Sequence, residues 1–302
     1  MRKGLILSIL LVLLPFHAKA NDVWSLTFSK KDYVYFQLAQ VEESMNEAVM
    51  EPYIDPVWKK IAGLNGRKLN VEKSFKKLIE EEQFDKSKLV FDEIKPTKKL
   101  SDLPLAAIYK GNPKKESVAF IMNVAWGNET IPTILSVLKE NNIHITFSLE
   151  GKWAKNNPDL VKLIVDAGHE LANHSYSHPD MAKLSYGEQL DQIQKTNEII
   201  QAYTKKTPVW FGPPSGSYNE NTLKAASELE METVMWSVDT IDWKNKSQEE
   251  ILNRVITKVH PGAIVSMHPK ENTMKALPEM IKQVKDKNLK ITTLTELLST
   301  NR

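Results

Sequence analysis

The chain has 302 residues, a formal charge of +2, 41% hydrophobic and 26% charged residues, and no cysteine. That is enough apolar material for one or two globular domains, and the near-zero charge argues against a nucleic-acid partner, which needs a basic face to neutralise phosphate. Without cysteine there is no disulfide framework and no thiolate nucleophile, so stability comes from burial and any chemistry comes from other side chains.

In chain order, residues 1–20 read as an export signal: Arg2 and Lys3, an apolar stretch from Gly4 to Phe16, then the small-x-small site Ala18-Lys19-Ala20. The stretch is too short to span a bilayer, although retention as an N-terminal anchor is the alternative to cleavage. Loss of this segment removes Arg2, Lys3 and Lys19 and no acid, taking the formal charge from +2 to −1. Residues 21–100 are expected to form a small, lysine-rich α+β module. Alternation at Val34, Phe36 and Leu38 predicts a strand, Gly63-Leu64-Asn65-Gly66 a turn, and Val71, Phe75, Leu78 and Ile79 a helical stripe. No catalytic constellation is visible there, and its basic segment Arg67 to Lys99 reads as a solvated face.

Residues 101–302 change character. Apolar runs at Val118–Val124, Ile143–Leu149, Glu170–Asn173, Val209–Phe211, Thr233–Val238, Ala263–Met267 and Ile291–Leu294 alternate with helical stripes, among them Ile131, Ile134, Leu135, Leu138 and then Leu160, Leu163, Ile164, Ala167. Strand-helix alternation of this kind predicts an α/β fold, a distorted (β/α) barrel of about seven parallel strands, with its chemistry at the C-terminal strand ends.

Those ends carry Met122-Asn123-Val124-Ala125-Trp126-Gly127, then His174-Ser175-Tyr176-Ser177-His178, Phe211-Gly212-Pro213-Pro214-Ser215-Gly216, Asp239-Thr240-Ile241-Asp242-Trp243, and Ser266-Met267-His268. Two imidazoles four residues apart can share one zinc, nickel or cobalt ion, or simply hydrogen-bond at a barrel rim. Either Asp239 or Asp242 could serve as the acid, and adjacency to Trp243 favours Asp242. Trp126, Trp236 and Trp243 offer stacking faces for a sugar ring or belong to the core. His144, His169 and His260 lie outside every motif and are taken as structural.

As an ordered set, these five motifs resemble the polysaccharide deacetylases, the NodB-like domain of carbohydrate esterase family 4, over residues 110–300, and Asn-Val-Ala-Trp-Gly-Asn-Glu is similar to a sporulation-associated subgroup. The resemblance implies hydrolysis of the acetamide of N-acetylated sugars in peptidoglycan or chitin, assisted by a divalent metal such as zinc, cobalt or nickel. It implies His174 and His178 as metal ligands, His268 as the acid that protonates the leaving amine, and Asp242 as the residue orienting it. Trp243, Pro214 and Tyr218 would contact substrate, and the Ser215 backbone N–H would hold the oxyanion. Each role makes independent chemical sense.

The departures are as informative. Where the family carries Asp-Asp, base and third ligand, this chain has Asn123-Val124, and Gly212 replaces the arginine that orients the base. An amide accepts no proton, so the expectation is an exported protein with the fold and part of the site for peptidoglycan N-deacetylation, weak or inactive as an enzyme and weak in metal binding. The alternatives are a slow working deacetylase, or a structural envelope protein that binds glycan or another envelope protein.

Overall fold

The computed structural model describes residues 29–81 and 83–302; residues 1–20, read above as an export signal, lie outside them. Among the described residues no helix is long and apolar enough to cross a membrane. The chain divides into two compact units, one of residues 29–47 and 67–94, the other of 48–66 and 95–302. The linear division expected at residue 100 therefore differs from the observed one: the chain passes into the larger unit at residue 48 and returns at 67.

The smaller unit corrects one expected element. Residues 34–38 are not a strand but part of the helix Lys30–Met45. Ser29 and Asp32 form a capping box at its start, and the buried Val34 and Leu38 continue into the partly buried Val41 and Met45, a helical stripe. Phe36, which completed the apparent alternation, is 52% exposed. The helix Val71–Leu78 follows the expected stripe and packs with Leu69 and Leu89 in a small core, Tyr35 stacking on Phe75 at 4.1 Å. Two strands, β3 (Gly66–Leu69) and β4 (Phe91–Ile94), pair beside it, and no turn forms at 63–66.

In the larger unit, residues 48–66 contribute the antiparallel hairpin β1 (Tyr53–Asp55) and β2 (Lys59–Ile61), turned by the Asp55 carboxylate accepting from the Val57 and Trp58 N–H groups. Lys60 of β2 is 1% exposed and its ammonium donates to both carboxylate oxygens of Glu232, at 2.8 and 2.9 Å. Removing one partner of such a pair strands the other charge in the interior. Glu232→Ala should therefore lower the unfolding free energy by about 3 kcal/mol. Adding Lys60→Met should recover most of that in denaturant titrations, and a neutral single variant would show that the pair is not stabilising.

The main sheet is parallel, in the order β10-β11-β5-β6-β7-β8-β9. Its strands are β5 (Ser117–Val124), β6 (Thr146–Leu149), β7 (Glu170–Asn173), β8 (Trp210–Phe211), β9 (Glu232–Thr233), β10 (Val238–Asp239) and β11 (Ile264–Met267). A further strand, β12 (Lys290–Thr292), pairs with the first half of β5. This is the distorted (β/α) barrel that the sequence predicts. The run Thr233–Val238, read as one strand, is two short ones, and no ladder joins β9 to β10 among the described residues. Ile108 bridges to Val234 and Lys110 to Ala263 instead.

All eight residues of β5 are buried, which is why its sequence shows no polar alternation. The period of two is still there in the packing. Val118, Phe120, Met122 and Val124 join the core between sheet and helices, together with Ile131, Ile134, Leu135 and Leu138 of the helix Ile131–Glu140. Ala119 and Ile121 face the barrel interior, and Asn123 follows them at the strand's end. In the helix Pro158–Asp166 the buried residues are Val161 and Ile164, while Leu163, expected to be buried, is 44% exposed.

Candidate functional site

At the C-terminal ends of these strands lies a cleft of about 330 Å³, lined by Asn123, Trp126, His174, His178, Ser215, Trp236, Asp239, Trp243, Ser266 and His268. Residues from all five sequence motifs meet here. Pro214 and Tyr218 do not reach its wall: Pro214 is buried, and the Tyr218 hydroxyl hydrogen-bonds that of Tyr109 at 2.8 Å. Ser215, at φ 54°, by contrast sits on the wall itself.

The histidine loop is built by hydrogen bonds that its own sequence only partly announces. Asn173 ends β7, accepts from the Ser175 N–H at 2.8 Å, and donates to Asn197 and to the Ile193 carbonyl on the helix Tyr186–Thr204. Gln192 of that helix accepts from the Tyr176 and Ser177 N–H groups. The Asn173 turn is a local signal, since Asn commonly bonds its own backbone two residues on. Nothing in the sequence pointed to Gln192. Ser175 and His178 both adopt positive φ, which brings the His174 and His178 rings to 5.1 Å between centroids.

His174 is 3% exposed, and its Nδ1 lies 2.7 Å from the Gly212 carbonyl oxygen. A carbonyl only accepts, so Nδ1 carries the proton and Nε2 is left as the free ligand atom. Burial pushes the His174 ring down to about 3, and burial lowers His178 as well. Both rings are thus neutral and able to coordinate near pH 7. A histidine depressed in the folded state is stabilising above its unfolded value of about 6.5, and that stability is lost as pH falls towards the folded value. His169, buried outside the cleft, is pushed down to about 4 by burial. Each of the two should remove about 2 kcal/mol of unfolding free energy between pH 7.5 and pH 5. Denaturant midpoints measured across that range check this, and a flat profile would contradict the buried neutral rings.

His268 and Asp242, the acid side by resemblance, are joined by hydrogen bonds. His268 Nδ1 donates to Asp242 Oδ1 at 2.7 Å, the His268 backbone N–H donates to Oδ2 at 2.8 Å, and the Thr273 hydroxyl donates to Oδ2 at 2.7 Å. Burial would raise the Asp242 carboxyl, but these hydrogen bonds outweigh it and hold it below its ordinary value. Asp242, not Asp239, is therefore the partner of His268. The indole of Trp126 lies parallel to the His268 ring at 5.4 Å and edge-on to His178 at 6.3 Å, an arrangement with no signal in the sequence beyond a tryptophan near a strand end. Trp126 and Trp243 are 40% and 50% exposed; Trp126 turns one face to His268, and the Lys244 ammonium stands over the Trp243 ring at 4.9 Å.

The base arm is different. Asn123 is 5% exposed and its amide nitrogen donates to Ser266 Oγ at 3.0 Å. Val124, where the resemblance implies a third metal ligand, is fully buried in the sheet-helix core. Glu150, at the end of β6, spends its carboxylate capping the Trp153 N–H and does not line the cleft. At Gly212 an added Cβ would lie 3.3 Å from Ser148 Oγ. The cavity beneath it, between Asn123, Ser148 and Trp236, holds about 10 Å³, enough for one water and not for a guanidinium. No group of three or more His, Asp or Glu among the described residues is placed to hold a metal ion. Two imidazoles and an amide, with no carboxylate beside them among the described residues, do not fit the divalent ion that the resemblance implies as a resident cofactor.

A polysaccharide deacetylase family model matches residues 110–234. The chain is 36% identical, over 65% of its length and 74% of the relative's, to a peptidoglycan-N-acetylglucosamine deacetylase of Bacillus cereus. It belongs to the polysaccharide deacetylase family. Its fold also matches the crystal structure of BA3943 from Bacillus anthracis, described as a family 4 pseudoenzyme, at TM-score 0.85 and 44% identity, covering 89% of this chain and 95% of that one. A mutant of BA3943 described as having restored enzymatic activity matches at TM-score 0.85 and 43% identity, covering 89% and 98%. By resemblance to this family, Asn123 and Gly212 stand where a base and its orienting arginine are expected; Val124 lies in the core, and His268 and Asp242 are joined by hydrogen bonds.

Proposed function

We propose that this protein is a deacetylase-fold pseudoenzyme, exported to the cell envelope, which binds peptidoglycan glycan in the cleft without efficient turnover. The observation that carries the reading is the contrast inside one cleft: His268 and Asp242 in hydrogen-bonded register on one side, and on the other Asn123 locked to Ser266. A positioned acid can protonate a leaving amine, but an amide cannot take the proton from attacking water, and general base catalysis is typically worth about 10² to 10⁴ in rate. The exposed Trp126 and Trp243 faces and the donors of the cleft are compatible with holding a sugar ring. The similarity to a B. cereus N-acetylglucosamine deacetylase and to a B. anthracis pseudoenzyme supports both halves of the reading.

Calorimetric titration with oligomers from digested peptidoglycan tests it. Binding should be weakened about tenfold or more by Trp243→Ala, as expected when a stacking face is lost. No binding by the unmodified protein would favour a purely structural envelope role.

A further inference from the structure

Among the residues lining the cleft there is one carboxylate, Asp239, and no lysine or arginine. Asp239 ends β10 in register with Ser266, the residue that holds Asn123. Its Oδ1 accepts from the Ile241 N–H at 2.8 Å, which fixes the side chain, and no described residue hydrogen-bonds to Oδ2. Arg254 lies nearby, but its Nε donates to the Asp239 backbone carbonyl, and among the described residues no ion pair neutralises the carboxylate. The other cleft-side carboxyl, Asp242, is 1% exposed and fully used by His268 and Thr273.

We propose that the cleft selects de-N-acetylated sugar, the ammonium group of a glucosamine residue in a glycan docking on Asp239. This rests on the glycan-binding reading above and deepens it. An acetamide N–H can hydrogen-bond to the carboxylate but leaves its charge uncompensated, whereas an ammonium supplies both the hydrogen bond and the opposite charge. The Lys244 ammonium already stands over the Trp243 ring, at 4.9 Å, so the preference rests on Asp239. The ligand is then the product of an N-deacetylation carried out elsewhere, so the protein would follow an active deacetylase in sequence and recognise glycan already modified.

The test is titration of the full chain with a glucosamine tetramer and, separately, an N-acetylglucosamine tetramer, repeated on Asp239→Asn. Asparagine keeps the oxygen that accepts from Ile241 and removes only the charge. The glucosamine tetramer should bind about tenfold tighter than the acetylated one, with a preference that weakens as salt is added, as expected of a charge-assisted contact. In Asp239→Asn that preference should vanish while binding of the acetylated tetramer persists. Equal or tighter binding of the acetylated tetramer by the unmodified protein overturns the proposal and leaves the glycan-binding reading standing, as does an equal loss of both ligands in Asp239→Asn. Failure of both tetramers to bind overturns the two together.

Discussion

Asn123→Asp is expected to raise acetate release from N-acetylglucosamine oligomers by about 10² in the presence of added zinc, cobalt or nickel, the lower end of what a general base contributes. The new carboxylate would occupy a position already built for it. Asn123 is held by Ser266 Oγ at 3.0 Å, and a serine hydroxyl that accepts from an amide can turn and donate to a carboxylate at the same distance. The acid arm across the cleft needs no change. Burial at 5% exposure and the missing arginine both favour the protonated carboxylic acid, so the restored activity should rise with pH at values above those of a solvated aspartate. Adding Gly212→Arg should not improve the variant, since the cavity beside Gly212 accepts about one water, and the melting temperature should fall. Acetate release as a function of pH checks the first claim. No gain in a folded Asn123→Asp protein would show that the missing base is not what limits turnover.

Val124→Asp should behave in the opposite manner. By motif it restores the family's third metal ligand, but in the structure Val124 points away from the cleft, into the core shared with Met122, Leu149 and Ile131. A carboxyl placed there meets apolar side chains and no partner, with a desolvation cost that neutralisation only partly relieves. The expected result is a loss of about 4 kcal/mol of unfolding free energy, within the range of core substitutions that bury an unpaired polar group. Metal affinity should not rise. Denaturant titration and metal titration together decide it, since unchanged stability with tighter metal binding would mean that residue 124 reaches the histidine pair after all. The missing ligand is on this account more than an exchange of one side chain: the end of β5 is now packed as core.

Several of these points could be read from the residues alone, and the physical reason differs from case to case. β5, β7 and β11 are legible because they are buried on both faces and bounded by polar strand ends, so a short apolar run maps onto one strand. The same rule fails for Thr233–Val238, where hydrophobic residues continue through the non-strand interval between β9 and β10. The helix Lys30–Met45 was hidden because three apolar residues at alternate positions imitate a strand. The capping box of Ser29 and Asp32 is the signal that contradicts it. The meeting of Asn123, His174, His178, Ser215, Trp243 and His268 in one cleft follows from the strand-end rule. What one sequence cannot show is which neighbour each polar group chooses: Asn123 on Ser266, Trp126 on His268, Tyr218 on Tyr109. The return of residues 48–66 to the larger unit is likewise set by long-range contacts, among them the buried Lys60 ammonium on Glu232 and the Asn65 N–H on the Thr300 carbonyl.

The central claim is that the cleft keeps its acid and has lost its base. It is tested most directly by acetate release from N-acetylglucosamine oligomers by the unaltered chain with excess zinc, cobalt or nickel, compared with His268→Ala. The account predicts a rate for the unaltered chain no more than marginally above the His268→Ala background. Turnover at the rate of the B. cereus deacetylase relative, abolished by His268→Ala, would contradict it.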